Sequence, residues 1–384
     1  MKEIYLDHAA TSHPKPNEVV LAVVNALTIE NANPGRSGYS RAIRASDIVF
    51  EARNNIKTIL NAKDVLEIAF TYNCTDAINL AIRGVLKKGD HVICSALEHN
   101  SVLRVLGEMK KSGEIEFDVV FPKPNGYVDP KEYIKRIKRN TALFILTHAS
   151  NVTGAVQPVE AIGCIAKSFG IPYLIDGAQA VGEISVDVQK YFCDLYAFAG
   201  HKGLLGPQGT GGLFIKSGMM LKPFRAGGTG SASESIYQPM ETPDRYESGT
   251  MNLPGIAGLS EGARYVKKRD QAIFHKLSLL TDVLFEGLSS IKGVTVYSPE
   301  NSTFRSGVVS FNLNDLSSQE AAEELYRQGM CVRSGLHCAP YAHAFLGTLS
   351  RGAVRASVGY NNTIDEINTF IEKVYNLSKI QGPA

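Results

Sequence analysis

Between residues 66 and 217 the sequence alternates short, unbroken apolar runs with stretches of helical period. The runs are LEIAFTY (66–72), HVICSAL (91–97), ALFILTH (142–148), PYLIDG (172–177), DLYAFAG (194–200) and GGLFIK (211–216). Continuous apolar strands with helices between them imply a largely parallel sheet covered on both faces, hence an α/β fold. Thr75-Asp76 is placed to cap a helix carrying Ile78, Ile82 and Val85; Val159 to Phe169 repeats the design and stops at Gly170.

After MNLPGIAGL the texture changes. Residues 256–292 read as one or two long helices, followed by VTVYS, GVVSFNL and AVRASVGY as strands. Ser317-x-x-Glu320 and Thr363-x-x-Glu366 are capping boxes that open two further helices. A chain of 384 residues exceeds the usual size of one compact core, so two domains are expected. They are a large domain over 16–255 and a smaller C-terminal α+β domain over 256–384, with residues 1–15 packed beside it.

Net charge is +2 with the basic residues dispersed, which points away from nucleic acid and from a basic membrane-binding patch. The N-terminus lacks the apolar core of a secretion signal, and no run reaches the roughly 18 residues of a membrane span. Six cysteines in so long a chain form no disulfide framework and no metal-ligand spacing, so a cytoplasmic, reducing setting is expected and no metal. Cys94 and Cys164 lie inside apolar patterns and read as packing.

In an open parallel sheet, ligands bind beyond the carboxyl ends of the strands. The residues just past each run are therefore informative: Asn73-Cys74-Thr75-Asp76, Glu98-His99-Asn100, His148-Ala149-Ser150-Asn151, Asp176-Gly177-Ala178-Gln179 and Gly200-His201-Lys202. These ends offer a carboxylate, imidazoles, amides, a hydroxyl and a primary amine. An amine that condenses with an aldehyde and an acid that keeps a pyridinium protonated are the protein's parts in pyridoxal phosphate chemistry. A helix start at Thr75 suits a phosphate.

DGAQA, FAGHK, HASNVTG, LEHN, RYESGTMN and VRSGLHCAP resemble the class V aminotransferase fold, specifically cysteine desulfurases and selenocysteine lyases. The resemblance runs from YLDHAATS to RASVGYNNTIDEI and implies the type I fold of pyridoxal-phosphate-dependent transferases. It makes Lys202 the Schiff-base lysine, Asp176 the pyridinium partner and His99 the stacked ring that assists proton transfer. Gln179 and Asn151 would bond the phenolic oxygen or the substrate carboxylate. Cys74, Thr75 and His201 belong to the phosphate site, with Thr250 reaching across from a second subunit of a homodimer. Arg355, with Arg333 nearby, would clamp the substrate carboxylate, and Cys338 would take the sulfur. Arg333 and His337 would favour its thiolate.

The implied reaction removes sulfur from L-cysteine, leaving alanine and a persulfide on Cys338. Selenocysteine lyase and a class V aminotransferase acting on a small amino acid are the alternatives. Sixteen residues separate Cys338 from Arg355, a short loop similar to the branch that hands sulfur to an acceptor protein, the service implied being iron–sulfur cluster assembly. The chain departs from the family at two positions. Ala199 stands where many desulfurases have serine, and Cys74 replaces a hydroxyl residue of the phosphate loop. A lost hydrogen bond to a phosphate costs about 1.5–3 kcal/mol unless another group substitutes.

Overall fold

A computed structural model describes residues 3–35, 37–301 and 305–379. A short strand β1 (Ile4–Tyr5) precedes helices α1 (Asn17–Thr28) and α2 (Ser40–Leu60). The apolar runs then appear as β2 (Ile68–Thr71), β3 (Asp90–Ser95), β4 (Ile115–Val120), β5 (Thr141–Thr147), β6 (Tyr173–Asp176), β7 (Leu195–Ala199) and β8 (Gly211–Ile215). They form one sheet in the order β2-β8-β7-β6-β5-β3-β4. Neighbours from β7 through β4 pair in parallel, while β8 is antiparallel to both β2 and β7. This is the mainly parallel sheet of the type I fold.

Strand periodicity divides the runs between two cores. Ile93, Phe144, Leu146, Ile175, Tyr196 and Phe198 face one side. Val92, Cys94, Ile145, Leu174, Leu195 and Ala197 face the other. The second face is covered by α3 (Cys74–Val85) and α4 (Asn100–Lys111). The first is covered by α2, by α6 (Val159–Phe169), which follows the short α5 (Pro130–Ile134), and by the start of α7 (Leu253–Ser289).

Three details differ from the sequence reading. β4 is a seventh strand, hidden in the sequence because its run carries Glu116 and Asp118; it lies on the sheet edge, where such residues reach water. The cap of α3 is Asn73, whose side chain accepts from Asp76 N at 2.8 Å, so Thr75 and Asp76 lie inside the first turn. Cys164 is exposed on α6 rather than packed.

α7 is a single helix of 37 residues. Leu253, Ile256 and Leu259 join the first core, whereas Ile273, Leu277, Leu280, Leu284 and Leu288 join a third. That third core lies against an antiparallel sheet of β9 (Val294–Val296), β10 (Val308–Leu313), β12 (Arg333–Gly335) and β13 (Ala353–Ser357), ordered β12-β13-β10-β9. Helices α8 (Ser318–Arg327) and α10 (Ile364–Ser378) complete it, and both open with the expected capping boxes. β1 pairs in parallel with β11 (Met330–Cys331), and a short α9 (Pro340–Phe345) follows β12.

Burial also fixes a pH response. It pushes His148 and His337 down to about 3, and His8, His201 and His343 down to about 4. Unfolded, each would take a proton near its ordinary value of about 6.5. Glu98 and Glu183 oppose this, because burial raises them to about 8 and about 7, so the folded form already holds their protons. The histidines outnumber the carboxyls, so the unfolded chain binds more protons from about pH 6.5 down to about pH 4. Stability then falls on acidification, by about 1.4 kcal/mol per pH unit for each net proton. The urea midpoint is expected to drop between pH 7 and pH 5, and a midpoint that rises would contradict the neutral state of these rings.

Candidate active site

The strand ends meet the C-terminal sheet around a cavity of about 240 Å³. Asp176 is the last residue of β6, in register with Thr147 of β5 and Ala197 of β7, and Lys202 lies three residues beyond β7. His99 caps α4 and Cys74 and Thr75 begin α3, both on the same edge. From the opposite side come Arg333 of β12, Arg355 of β13 and the loop carrying His337 and Cys338. Every site residue expected from the sequence lines this cavity except Thr250. Thr250 is exposed on a separate groove with Tyr72, Arg225 and Ser248.

Asp176 is 3% exposed, and its Oδ1 accepts from Ala178 N at 2.9 Å and from Cys74 Sγ at 3.6 Å. The Cys74 side chain is therefore turned to the acid; only its backbone sits at the helix start. Burial pushes the Lys202 amine down, against the pull of Asp176. A lowered amine holds more of its neutral, nucleophilic form. The glycines around Lys202 let backbone approach. A side chain at Gly200 would lie 2.1 Å from Thr210 Oγ1, and one at Gly203 would lie 2.4 Å from the Val181 carbonyl. The His201 carbonyl accepts from Ser12 N at 3.1 Å and from Lys15 Nζ at 2.8 Å, which ties the lysine loop to the N-terminal segment.

His99 Nδ1 accepts from Ser101 N at 3.0 Å. A ring nitrogen that accepts from a backbone N–H carries no proton, so the His99 proton is on Nε2. Burial first, and the Lys202 and Arg355 charges after it, lower its affinity for a second proton, against the pull of Asp176.

Cys338 occupies a tight turn. Ala339 N donates to Leu336 O at 2.9 Å, and the two central residues, His337 and Cys338, have φ of 47° and 56°. Left-handed backbone at consecutive non-glycine residues costs energy, and the surroundings hold it. Asn151 Nδ2 donates to His337 O at 2.6 Å and Asn100 N donates to Cys338 O at 2.7 Å. Asn151 thus braces the cysteine loop. His337 differs from the sequence reading, because burial and then the Arg355 charge keep its ring neutral. The cations that share the cavity with Cys338 are Arg333, Arg355 and Lys202.

Arg355 is 3% exposed; Nη1 donates to Asn151 O at 3.0 Å and Nη2 to Asp7 Oδ1 at 2.9 Å. Asp7 is the functional neighbour that sequence reasoning missed. Its signal was YLDHAATS, a motif read for resemblance without assigning its carboxylate. The segment also supplies Ala9, whose carbonyl accepts from Gln179 Nε2 at 2.9 Å.

These residues fit a bound pyridoxal phosphate. Gln179 Oε1, His201 Nδ1 and Arg355 Nε are buried without a protein partner, and all three residues line the cavity. Buried polar atoms left unpaired are costly unless a ligand or water meets them. Asn73 caps Asp76 N, and the first N–H groups of α3 are ones a helix cannot satisfy internally, which suits a phosphate.

Comparison with known proteins gives the family. The class-V aminotransferase family matches residues 4–370. A probable cysteine desulfurase of Methanothermobacter thermautotrophicus is 36% identical over 98% of this chain and 94% of its own length. Among solved structures, the apo cysteine desulfurase of Thermococcus onnurineus NA1 superposes with a TM-score of 0.92 at 32% identity, covering 98% of this chain and 95% of that one. A cysteine desulfurase from Escherichia coli gives a TM-score of 0.88 at 27% identity, covering 97% and 94%. The chain belongs to the class-V aminotransferase family, among its pyridoxal-phosphate-dependent cysteine desulfurases.

Proposed function

We propose that this protein removes sulfur from L-cysteine, releasing L-alanine and leaving a persulfide on Cys338. The observation that carries this is the convergence on one cavity of a desolvated lysine, a buried carboxylate and an exposed cysteine held in a strained turn. Bound pyridoxal phosphate supplies an electron sink that loosens the substrate's carbon–sulfur bond.

The protein's residues then divide the work. Lys202 would hold the cofactor aldehyde and move protons at the substrate. Asp176 would hold the ring-nitrogen proton, and the His99 ring would cover the cofactor, leaving its Nε2–H to donate at the edge. The N–H groups of Cys74 and Thr75 and the free Nδ1 of His201 would meet the phosphate. Gln179 Oε1 would accept a hydrogen bond from the phenolic group when that group carries its proton. Arg355, fixed by Asp7 and Asn151, offers its free Nε to the substrate carboxylate, with Arg333 beside it.

Cys338 attacks as the thiolate. Its Sγ bonds to the substrate sulfur while the carbon–sulfur bond breaks. The electron pair of that bond stays on carbon, which takes a proton to become alanine.

The wider reading is a cytoplasmic homodimer that passes sulfur to an acceptor protein for iron–sulfur cluster assembly. The exposed apolar residues Leu21 (59%), Leu27 (54%) and Phe50 (58%) of α1 and α2 support a subunit interface. So does the position of Thr250 outside its own chain's cavity. The free thiols fit a reducing compartment, and no helix among the described residues is long and apolar enough to cross a membrane. We propose the division into residues 16–255 and residues 1–15 with 256–384, with Ile256 and Leu259 at the start of α7 still packed in the large domain's core. In its support, Ile4 and Leu6 pack into the third core with α10.

Purified protein supplied with pyridoxal phosphate, L-cysteine and a reductant is expected to release alanine and sulfide in equal amounts. A keto acid in place of alanine would assign it to transamination instead.

A further inference from the structure

Two cysteines line the cavity, and they are held differently. Cys338 is exposed on its turn, whereas Cys74 is 8% exposed, with Sγ 3.6 Å from Asp176 Oδ1. Cys74 packs in the core cluster that includes Ala77, Ala197 and Ala199, with the Asp176 carboxylate and the Lys202 amine as charged neighbours. Burial first, and then the Asp176 charge, raise this thiol well above the usual range. It keeps its proton and donates it. The Ala178 N–H falls on the same oxygen at 2.9 Å. Both donors therefore engage Oδ1 and leave Oδ2 for the cavity.

From this contact we propose that Cys74 is a positioning residue: its S–H fixes the rotation of the Asp176 carboxylate so that Oδ2 meets the cofactor's ring nitrogen. The same bond keeps Cys74 out of sulfur transfer, which is left to Cys338. The inference rests on the reading that Asp176 serves a pyridoxal phosphate ring. It also explains how a thiol is accommodated where a hydroxyl residue is usual, because the side chain serves the acid and the backbone serves the phosphate.

The first test needs no cofactor. In the full chain freed of pyridoxal phosphate, Cys74 alkylation by iodoacetamide is followed by peptide mass spectrometry from pH 7 to pH 10. Asp176→Asn removes the charge that holds the thiol proton, so Cys74 alkylation at pH 8.5 is expected to rise about 10-fold. Cys338 alkylation serves as the internal reference. An unchanged Cys74 rate would mean that the thiol is merely packed there, and would overturn the proposal.

The second test uses the loaded protein. Cys74→Ala is expected to weaken pyridoxal phosphate retention about 10-fold, and Cys74→Ser to stay within about 3-fold of the parent, since a hydroxyl restores the donor. The nitrogen-15 shift of ring-labelled pyridoxal phosphate should move in the alanine variant and return in the serine variant. Parent-like affinity and shift in Cys74→Ala would overturn the proposal. Should the parent itself not bind pyridoxal phosphate, the functional reading fails, and the alkylation result still decides whether the thiol and carboxylate are coupled.

Discussion

Lys202→Ala protein is expected to lack the absorbance band of lysine-bound pyridoxal phosphate and to lose alanine production by on the order of 10³-fold or more, the scale of a positioned proton-transfer group. The reason lies in the environment of the amine. Burial lowers its proton affinity while the Asp176 carboxylate pulls it back, so Lys202 is the desolvated amine of the cavity and the one poised to condense with an aldehyde. Lys15 is a second lowered amine, at about 8, but its Nζ is bound to Ser12 Oγ and the His201 carbonyl. Borohydride reduction of the loaded parent should therefore attach the cofactor to the peptide holding Lys202 and not to that holding Lys15. Lys202→Arg is the control for folding: it keeps the charge beside Asp176 but cannot form the link. An unchanged band in either variant would remove Lys202 from the role.

The sequence made the sheet legible where strand residues were purely apolar, as in ALFILTH and DLYAFAG, because burial on both faces forbids polar interruptions. It hid β4, where an edge position admits Glu116 and Asp118. At the site, strand-end logic and motif resemblance located nearly the whole cavity lining, since chain topology dictates that edge. Side-chain direction was not legible. Cys74 comes after a strand and begins a helix, which suggests phosphate, yet its thiol rotates to Asp176. His337 sits beside a reactive cysteine, which suggests a cation, yet burial makes it neutral. Asp7 lies 348 residues from Arg355, and that pairing depends on β13 and the N-terminal segment meeting in three dimensions. Such facts belong to packing, which periodicity does not encode.

Cys338→Ala is expected to keep the pyridoxal phosphate band and to lose alanine release by on the order of 10³-fold or more, as when any nucleophile acting in a coupled site is removed. The band should persist because Cys338 touches neither Lys202 nor Asp176 through a hydrogen bond and lies on the opposite wall. The loss should be severe because the alternative thiol, Cys74, is held protonated by burial and a carboxylate. Backbone geometry supplies a further check. His337 and Cys338 share left-handed φ values, a conformation that costs about 1–3 kcal/mol per non-glycine residue and is retained by the bonds from Asn151 and Asn100. Cys338→Gly should thus be at least as stable as the parent while equally inactive, since glycine takes that conformation freely. Strain kept at one exposed thiol, and removable without loss of stability, is what a site selected for reaction rather than for packing should show. Full activity in either variant would place the sulfur acceptor elsewhere, and a glycine variant that melts earlier would mean the turn is held by the cysteine side chain instead of by its neighbours.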